Sequence, residues 1–185
     1  MRGILPDEET RFLAIIPSME INCTAPDFEL RGLDGNLHRL SAYRGRIVIV
    51  NFWSAECPHV ERVDAFLLAA QSRWGEKVVL LAVASNAGES LSAMENAARS
   101  RGLPTVLIDA KQEAADAYSA QVTPEVFVID REGVIRYRGA ADDVTFRQKN
   151  ATRSYVEEAV DALLAGNPPS VAESPAFGCS IIRET

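Results

Sequence analysis

Cys57 stands in the run Asn51-Phe52-Trp53-Ser54-Ala55-Glu56-Cys57-Pro58-His59-Val60-Glu61, after a strand-like apolar stretch and directly before a helical pattern. A cysteine at a strand-to-helix junction points its sulfur at the unpaired amides and the positive end of the helix dipole, which favours thiolate over thiol. Its ordinary pKa of about 8.5 should fall there, so Cys57 is the candidate nucleophile. Pro58 is a helix-start residue, which a merely structural core cysteine has no need of. A short two-thiol loop would carry its second cysteine at position 60, where Val60 stands. The usual short-loop disulfide is therefore excluded.

Neighbouring residues could tune that sulfur. His59 lies in the first helical turn and, when protonated, would stabilise the thiolate; its alternative reading is a solvated surface residue. Glu56 and Glu61 act in the opposite direction, since a nearby carboxylate raises a thiol pKa, although either could relay a proton. As exposed charges beside a helix start they need no chemical role. His59, Cys57 and Glu61 lie too close together to supply three metal ligands without a distant partner, and no metal or other cofactor is expected. Cys23 matches no catalytic position, and His38 reads as a solvated residue of a hairpin.

The elements that must position Cys57 alternate in type. Phe28 to Leu30 and Leu37 to Leu40 flank the turn-rich Gly32-Leu33-Asp34-Gly35-Asn36 and read as a β-hairpin. Ile47 to Phe52 is a buried strand, followed by Val60, Val63, Phe66, Leu67, Ala70 and Trp74 at helical spacing before Gly75. Val78 to Ala84 is a strand, Leu91 to Arg101 a helix stopped by Gly102, Thr105 to Asp109 a short strand and Lys111 to Tyr118 a helix. Glu125 to Asp130 and Val134 to Tyr137 are antiparallel neighbours across Arg131-Glu132-Gly133. Tyr155 to Leu164 carries a last amphipathic pattern. Before residue 23 a short amphipathic stretch surrounds Phe12, Leu13, Ile15 and Ile16, and after Gly166 the proline-rich text describes an extended tail. The expected organisation is an N-terminal extension (1–22), one α/β domain (23–166) and a tail (167–185) carrying Cys179.

Composition narrows the function classes. With 185 residues, 47% hydrophobic and 24% charged, the chain can build one ordinary core. A net charge of −7 with scattered Lys and Arg argues against a nucleic-acid partner. Apolar runs are strand-sized, far below the roughly 18 residues of a membrane span, and the first residues lack a sustained apolar stretch of the secretory kind. A soluble protein is expected, either cytoplasmic or exported with its leader removed. Three cysteines, Cys23, Cys57 and Cys179, are too few for a disulfide scaffold.

The order β-α-β-α-β-α-β-β-α resembles a thioredoxin-like fold with an N-terminal hairpin and an inserted βα unit, a central mixed sheet flanked by helices. Ala25-Pro26-Asp27-Phe28, Asp34-Gly35, the Asn-Phe-Trp run into Cys57-Pro58, and Thr123-Pro124-Glu125-Val126-Phe127-Val128-Ile129-Asp130 resemble the redoxin group. That group holds the alkyl hydroperoxide reductase/thiol-specific antioxidant proteins and the thiol-disulfide reductases, and the match runs in order over about residues 23–165. Phe177-Gly178-Cys179-Ser180-Ile181 is similar to the tail of a subgroup pairing Cys-Pro-x-Val with a C-terminal Gly-Cys-x-Ile. There the tail continues with Lys-Trp, whereas this chain has Ile182-Arg183-Glu184-Thr185.

The resemblance implies a bacterial redox enzyme acting on protein or small-molecule disulfides, or on peroxide, in cell redox homeostasis. An external thiol such as a thioredoxin would restore it, and it would be a monomer or weak dimer. It also implies a cis Thr123-Pro124 bond packed against the cysteine sulfur, leaving the Thr123 backbone to pair with an extended substrate chain. Asn51 occupies the place of the buried aspartate of thioredoxins, consistent with the missing thiol at Val60. Cys179 is then the candidate resolving cysteine, since a sulfenic acid or mixed disulfide on Cys57 needs a second thiol; the alternative is a free thiol on a loose terminus.

Thiol-disulfide exchange is the first functional reading. A thiol peroxidase is second: Ser54 stands where peroxiredoxins carry an activating hydroxyl, but Val50 replaces their proline, and Thr123-Pro124-Glu125 stands where their arginine is expected. A redox-inert binding module of the same fold is third.

Overall fold

A computed structural model describes residues 20–183, so the amphipathic stretch expected around Phe12 to Ile16 lies outside the described residues. The hairpin forms as β1 (Glu29–Gly32) and β2 (Leu37–Arg39). β3 (Ile47–Trp53) is buried at every position, which explains why its sequence shows no alternation: both faces of the sheet are covered. α1 (Pro58–Trp74) follows after the short loop 54–57, with Cys57 as its N-cap and Pro58 in its first turn. β4 (Val78–Ala84) leads to α2 (Leu91–Arg101), whose start is capped by Ser90 Oγ accepting the Ala93 N–H. Gly102, at φ 73°, ends that helix in the left-handed region glycine enters without a Cβ clash.

β5 (Val106–Ile108), α3 (Glu113–Ala117), a two-residue β6 (Val122–Thr123), β7 (Glu125–Ile129) and β8 (Ile135–Gly139) complete the middle of the chain. α4 (Tyr155–Leu164) is capped by Ser154, and the tail ends in β9 (Cys179–Ser180).

Seven strands form one mixed sheet in the order β2-β1-β5-β4-β3-β7-β8, while β6 and β9 pair separately. β3 lies in the interior, parallel to β4 and antiparallel to β7. Its pleat divides the core: Val48, Val50 and Phe52 cluster with Tyr118, Phe127 and Ile129 on one face of the sheet, whereas Ile47 and Ile49 cluster with Leu67, Tyr137 and Val160 on the other. Burying each such large side chain contributes about 1.5–3 kcal/mol. A third cluster of Trp53, Cys57, Val60, Ala82, Ala84 and Met94 seats the start of α1 on the ends of β3 and β4. Cys57 is thus seated where a buried strand ends and a packed helix begins.

The sequence places these elements closely, with β4, α2 and α4 at the bounds expected. What it does not show is the course of the tail. The tail runs beside β8, where Ser174 N donates to Arg138 O (3.1 Å) and Arg138 N to Ala172 O (3.0 Å), then crosses to the start of α1.

Candidate active site

Cys57 is 3% exposed, and its sulfur has two close partners: Thr123 O at 3.1 Å and Cys179 Sγ at 2.8 Å. Both cysteines are thiols, without a bond between them. Burial opposes ionisation, yet donation by the Cys179 thiol, the Thr123 side chain, and the backbone N–H groups of Cys179 and His59 brings the Cys57 thiol below its ordinary value. Thr123 is fully buried and its hydroxyl has no partner in the dithiol state, so it remains available to donate to a thiolate. Cys179 moves in the opposite direction, to about 11, through burial, its hydrogen bond to Cys57 and the charge there. One of the two sulfurs ionises first, and it is Cys57.

The loop before Cys57 is held by Ser54, which the sequence singled out, and by three groups that it did not, Glu89, Arg101 and Asp64. Ser54 is buried, and its Oγ accepts the N–H groups of Glu56 and Cys57, both at 3.2 Å, while donating to Glu89. Glu89 also accepts the Ala55 N–H (3.0 Å) and an Asn86 amide hydrogen (3.1 Å). On the other side, Arg101 donates to Ala55 O (2.8 Å) and to Asp64 (3.2 Å), which in turn accepts the Trp53 indole N–H (2.9 Å). Burial raises the Asp64 carboxyl to about 6 against the pull of Trp53 and Arg101. No motif marked Glu89, Arg101 or Asp64, because their partners lie 34 to 46 and 11 residues away in the chain.

The tail reaches the site as a strand. β9 pairs antiparallel with β6, Cys179 opposite Thr123 and Ser180 opposite Val122, and Ile181 N donates to Gln121 O (2.9 Å). Glu125 fixes the other end of this short ladder by accepting the Gln121 N–H (2.8 Å). The Thr123-Pro124 bond is cis, as the resemblance implied. Gly178 crosses it so closely that a Cβ there would fall 2.6 Å from the Thr123 carbonyl carbon and 3.0 Å from Pro124 N. Only glycine fits that crossing. Beyond it, Ile181 is 6% exposed in the core beside Phe52, Tyr118 and Phe127. Ile182 N donates to Asn86 Oδ1 (2.8 Å), and Ile182 O accepts from Gln112 Nε2 (2.7 Å) and Ala87 N (3.0 Å).

The remaining expected residues fall around this centre. The His59 ring packs on Phe177, with centroids 4.9 Å apart, and it is the His59 backbone N–H that lowers the Cys57 thiol. Glu56 and Glu61 are exposed. Asn51 is buried with its Oδ1 unpartnered. Cys23 packs against the core. His38, read as solvated, is half-buried and bonded to Tyr43 Oη (2.6 Å) and Asp34, because the hairpin folds it back over its own turn.

A mixed sheet whose interior strand delivers a cysteine to a helix start, opposite a cis X-Pro bond at the head of an antiparallel strand, defines a thioredoxin-like redox protein. Residues 21–138 match the AhpC/TSA family, and the chain belongs to that family. It is 34% identical over 129 residues to the thiol-disulfide oxidoreductase ResA of Geobacillus kaustophilus, a match covering 69% of this chain and 73% of that one. The thiol:disulfide interchange protein DsbE of Allochromatium vinosum is 28% identical over 127 residues, covering 66% and 68%. A crystal structure of an uncharacterized conserved protein from Geobacillus kaustophilus superimposes with a TM-score of 0.83 at 30% identity, over 90% of this chain and 93% of that one. The family match ends at residue 138, so Cys179 and its strand lie beyond it.

Proposed function

We propose that the protein is a thiol-disulfide oxidoreductase in which Cys57 attacks and Cys179 resolves. The observation that carries the reading is the 2.8 Å approach of the two sulfurs on the β6 edge, with Cys57 the more acidic. The Cys57 thiolate displaces one sulfur of a substrate disulfide, forming a mixed disulfide and releasing a thiolate that takes up a proton. Cys179, losing its proton, then attacks Cys57 Sγ and expels the second substrate sulfur as a thiol. The enzyme ends with a Cys57–Cys179 disulfide and the substrate with two thiols. An external dithiol returns the enzyme to its starting state by the same chemistry.

The supporting groups have distinct parts. Thr123 offers its carbonyl to the thiol and its hydroxyl to the thiolate. Ser54 orients the Cys57 amide, and the His59 N–H adds a donor at the helix start. The fold and the relatives named for thiol-disulfide exchange support this over peroxide reduction. Arg101, which reaches the active-site loop, is engaged with Asp64 and Ala55 O rather than with the sulfur. No described helix is long and apolar enough to cross a membrane.

Peptide mapping without reductant after one equivalent of diamide tests the reading. The expected product is a Cys57–Cys179 linked peptide. Recovery of Cys179 as a free thiol while Cys57 is oxidised would remove the resolving role and leave an enzyme dependent on an external thiol.

A further inference from the structure

The tail occupies the place where an extended substrate would lie. β6 exposes two residues of backbone beside Cys57, and among the described residues the strand that takes its ladder is β9. The contacts of β9 divide into those any chain could make and those that discriminate. Backbone pairing at Val122 and Thr123, and the bonds from Asn86, Gln112 and Ala87 to the Ile182 backbone, are indifferent to side chain. Three positions discriminate: Gly178, with no room for a Cβ against the Thr123-Pro124 bond; Ile181, inserted in the core; and Phe177, between the rings of His59 and Phe146. Ser180 points outward and is free to vary.

We propose that the β6 edge is a peptide platform selecting an extended segment of the form aromatic-Gly-Cys-x-aliphatic, with glycine immediately before the reacting cysteine, and that this chain's own C-terminal strand is its resident occupant. The redox part rests on Cys57 being the attacking sulfur; the binding part does not. A tethered occupant competes at an effective concentration in the millimolar range, so a protein substrate gains the platform only when the tail leaves it. A second copy of this chain, presenting the same Phe-Gly-Cys-Ser-Ile segment, meets the requirement.

The test uses the full chain with Cys179→Ser, alone and combined with Gly178→Ala or with Ile181→Ser, two independent ways of undocking the tail. The probe is a fluorescein-labelled Phe-Gly-Ser-Ser-Ile-Ile-Arg peptide, unreactive because serine replaces its cysteine, followed by anisotropy. Binding is expected to tighten at least about tenfold in both undocked variants. Replacing the peptide glycine by alanine should weaken it by about tenfold or more, the penalty of overfilling a packed site. Equal binding of the glycine and alanine peptides, or no gain on undocking, overturns the platform. In a second arm the cysteine-containing peptide carries a thionitrobenzoate mixed disulfide. Cys57 attacks the peptide sulfur, forming a Cys57–peptide disulfide, and thionitrobenzoate leaves as the coloured thiolate. Selective binding without colour release would support the platform and count against Cys57 as nucleophile.

Discussion

Cys57 and Cys179 lie 122 residues apart in the chain, yet their sulfurs stand 2.8 Å apart where the start of α1 meets the β6–β9 pair. The contact is asymmetric. Cys57 sits at a helix start among donors, while Cys179 is a half-buried thiol raised by burial and by the neighbouring charge. That asymmetry gives the pair a direction, since the more acidic sulfur is the one available to attack first.

Removing Cys179 should weaken Cys57 as an acid. In a Cys179→Ala variant the Cys57 thiolate loses its side-chain donor, so its pKa rises. The pH dependence of iodoacetamide alkylation measures it. An unchanged titration would show that Thr123 and the helix start suffice.

His59→Ala should leave that titration close to the wild-type curve, because the donor is the backbone N–H, which alanine keeps. What the substitution removes is the ring beneath Phe177. Slower formation of the Cys57–Cys179 disulfide, with unaltered Cys57 acidity, is the expected pattern in stopped-flow oxidation. A clear rise in the Cys57 pKa would instead assign the role to the imidazole.

Glu89→Ala should loosen the active-site loop. The substitution leaves the Ala55 N–H and the Ser54 hydroxyl without their acceptor, at a cost of about 1–3 kcal/mol. Urea unfolding reads the loss, and Glu89→Gln, which keeps an acceptor oxygen, should recover part of it.

Asp64 should tilt stability with pH. Its folded pKa of about 6 lies above its ordinary 3.8, so its contribution is fully present below about pH 4 and is lost as pH rises through 6. The change across that window is on the order of 1–3 kcal/mol. In Asp64→Asn the tilt should disappear, which paired unfolding curves at pH 4 and pH 7 will show.

Oxidation should stabilise the fold. A bond closing so long a loop restricts the unfolded chain by about 4–5 kcal/mol in the chain-entropy model. The diamide-treated protein should unfold at higher denaturant than the reduced one, and Cys179→Ser should abolish the difference.

The sequence alone determined the elements and the place of Cys57 at a helix start. Long periodic segments such as Pro58–Trp74, and the unbroken apolar run of β3, carry their own signal, because a helix face or a doubly buried strand must be written in neighbouring residues. Cys57 could be placed at a helix start for the same reason. The tertiary structure decided everything that depends on chain crossings. β6 and β9 have two residues each, too few for any period, and exist only because the tail lays Gly178 across the Thr123-Pro124 bond. Nothing in the local sequence sets Glu89, Arg101 and Asp64 apart; the fold brings two of them to the Ala55 backbone and the third to Trp53. The glycine and cysteine of the tail were visible as residue types. Only packing, where one methyl group more would not fit, turned Gly178 into a requirement.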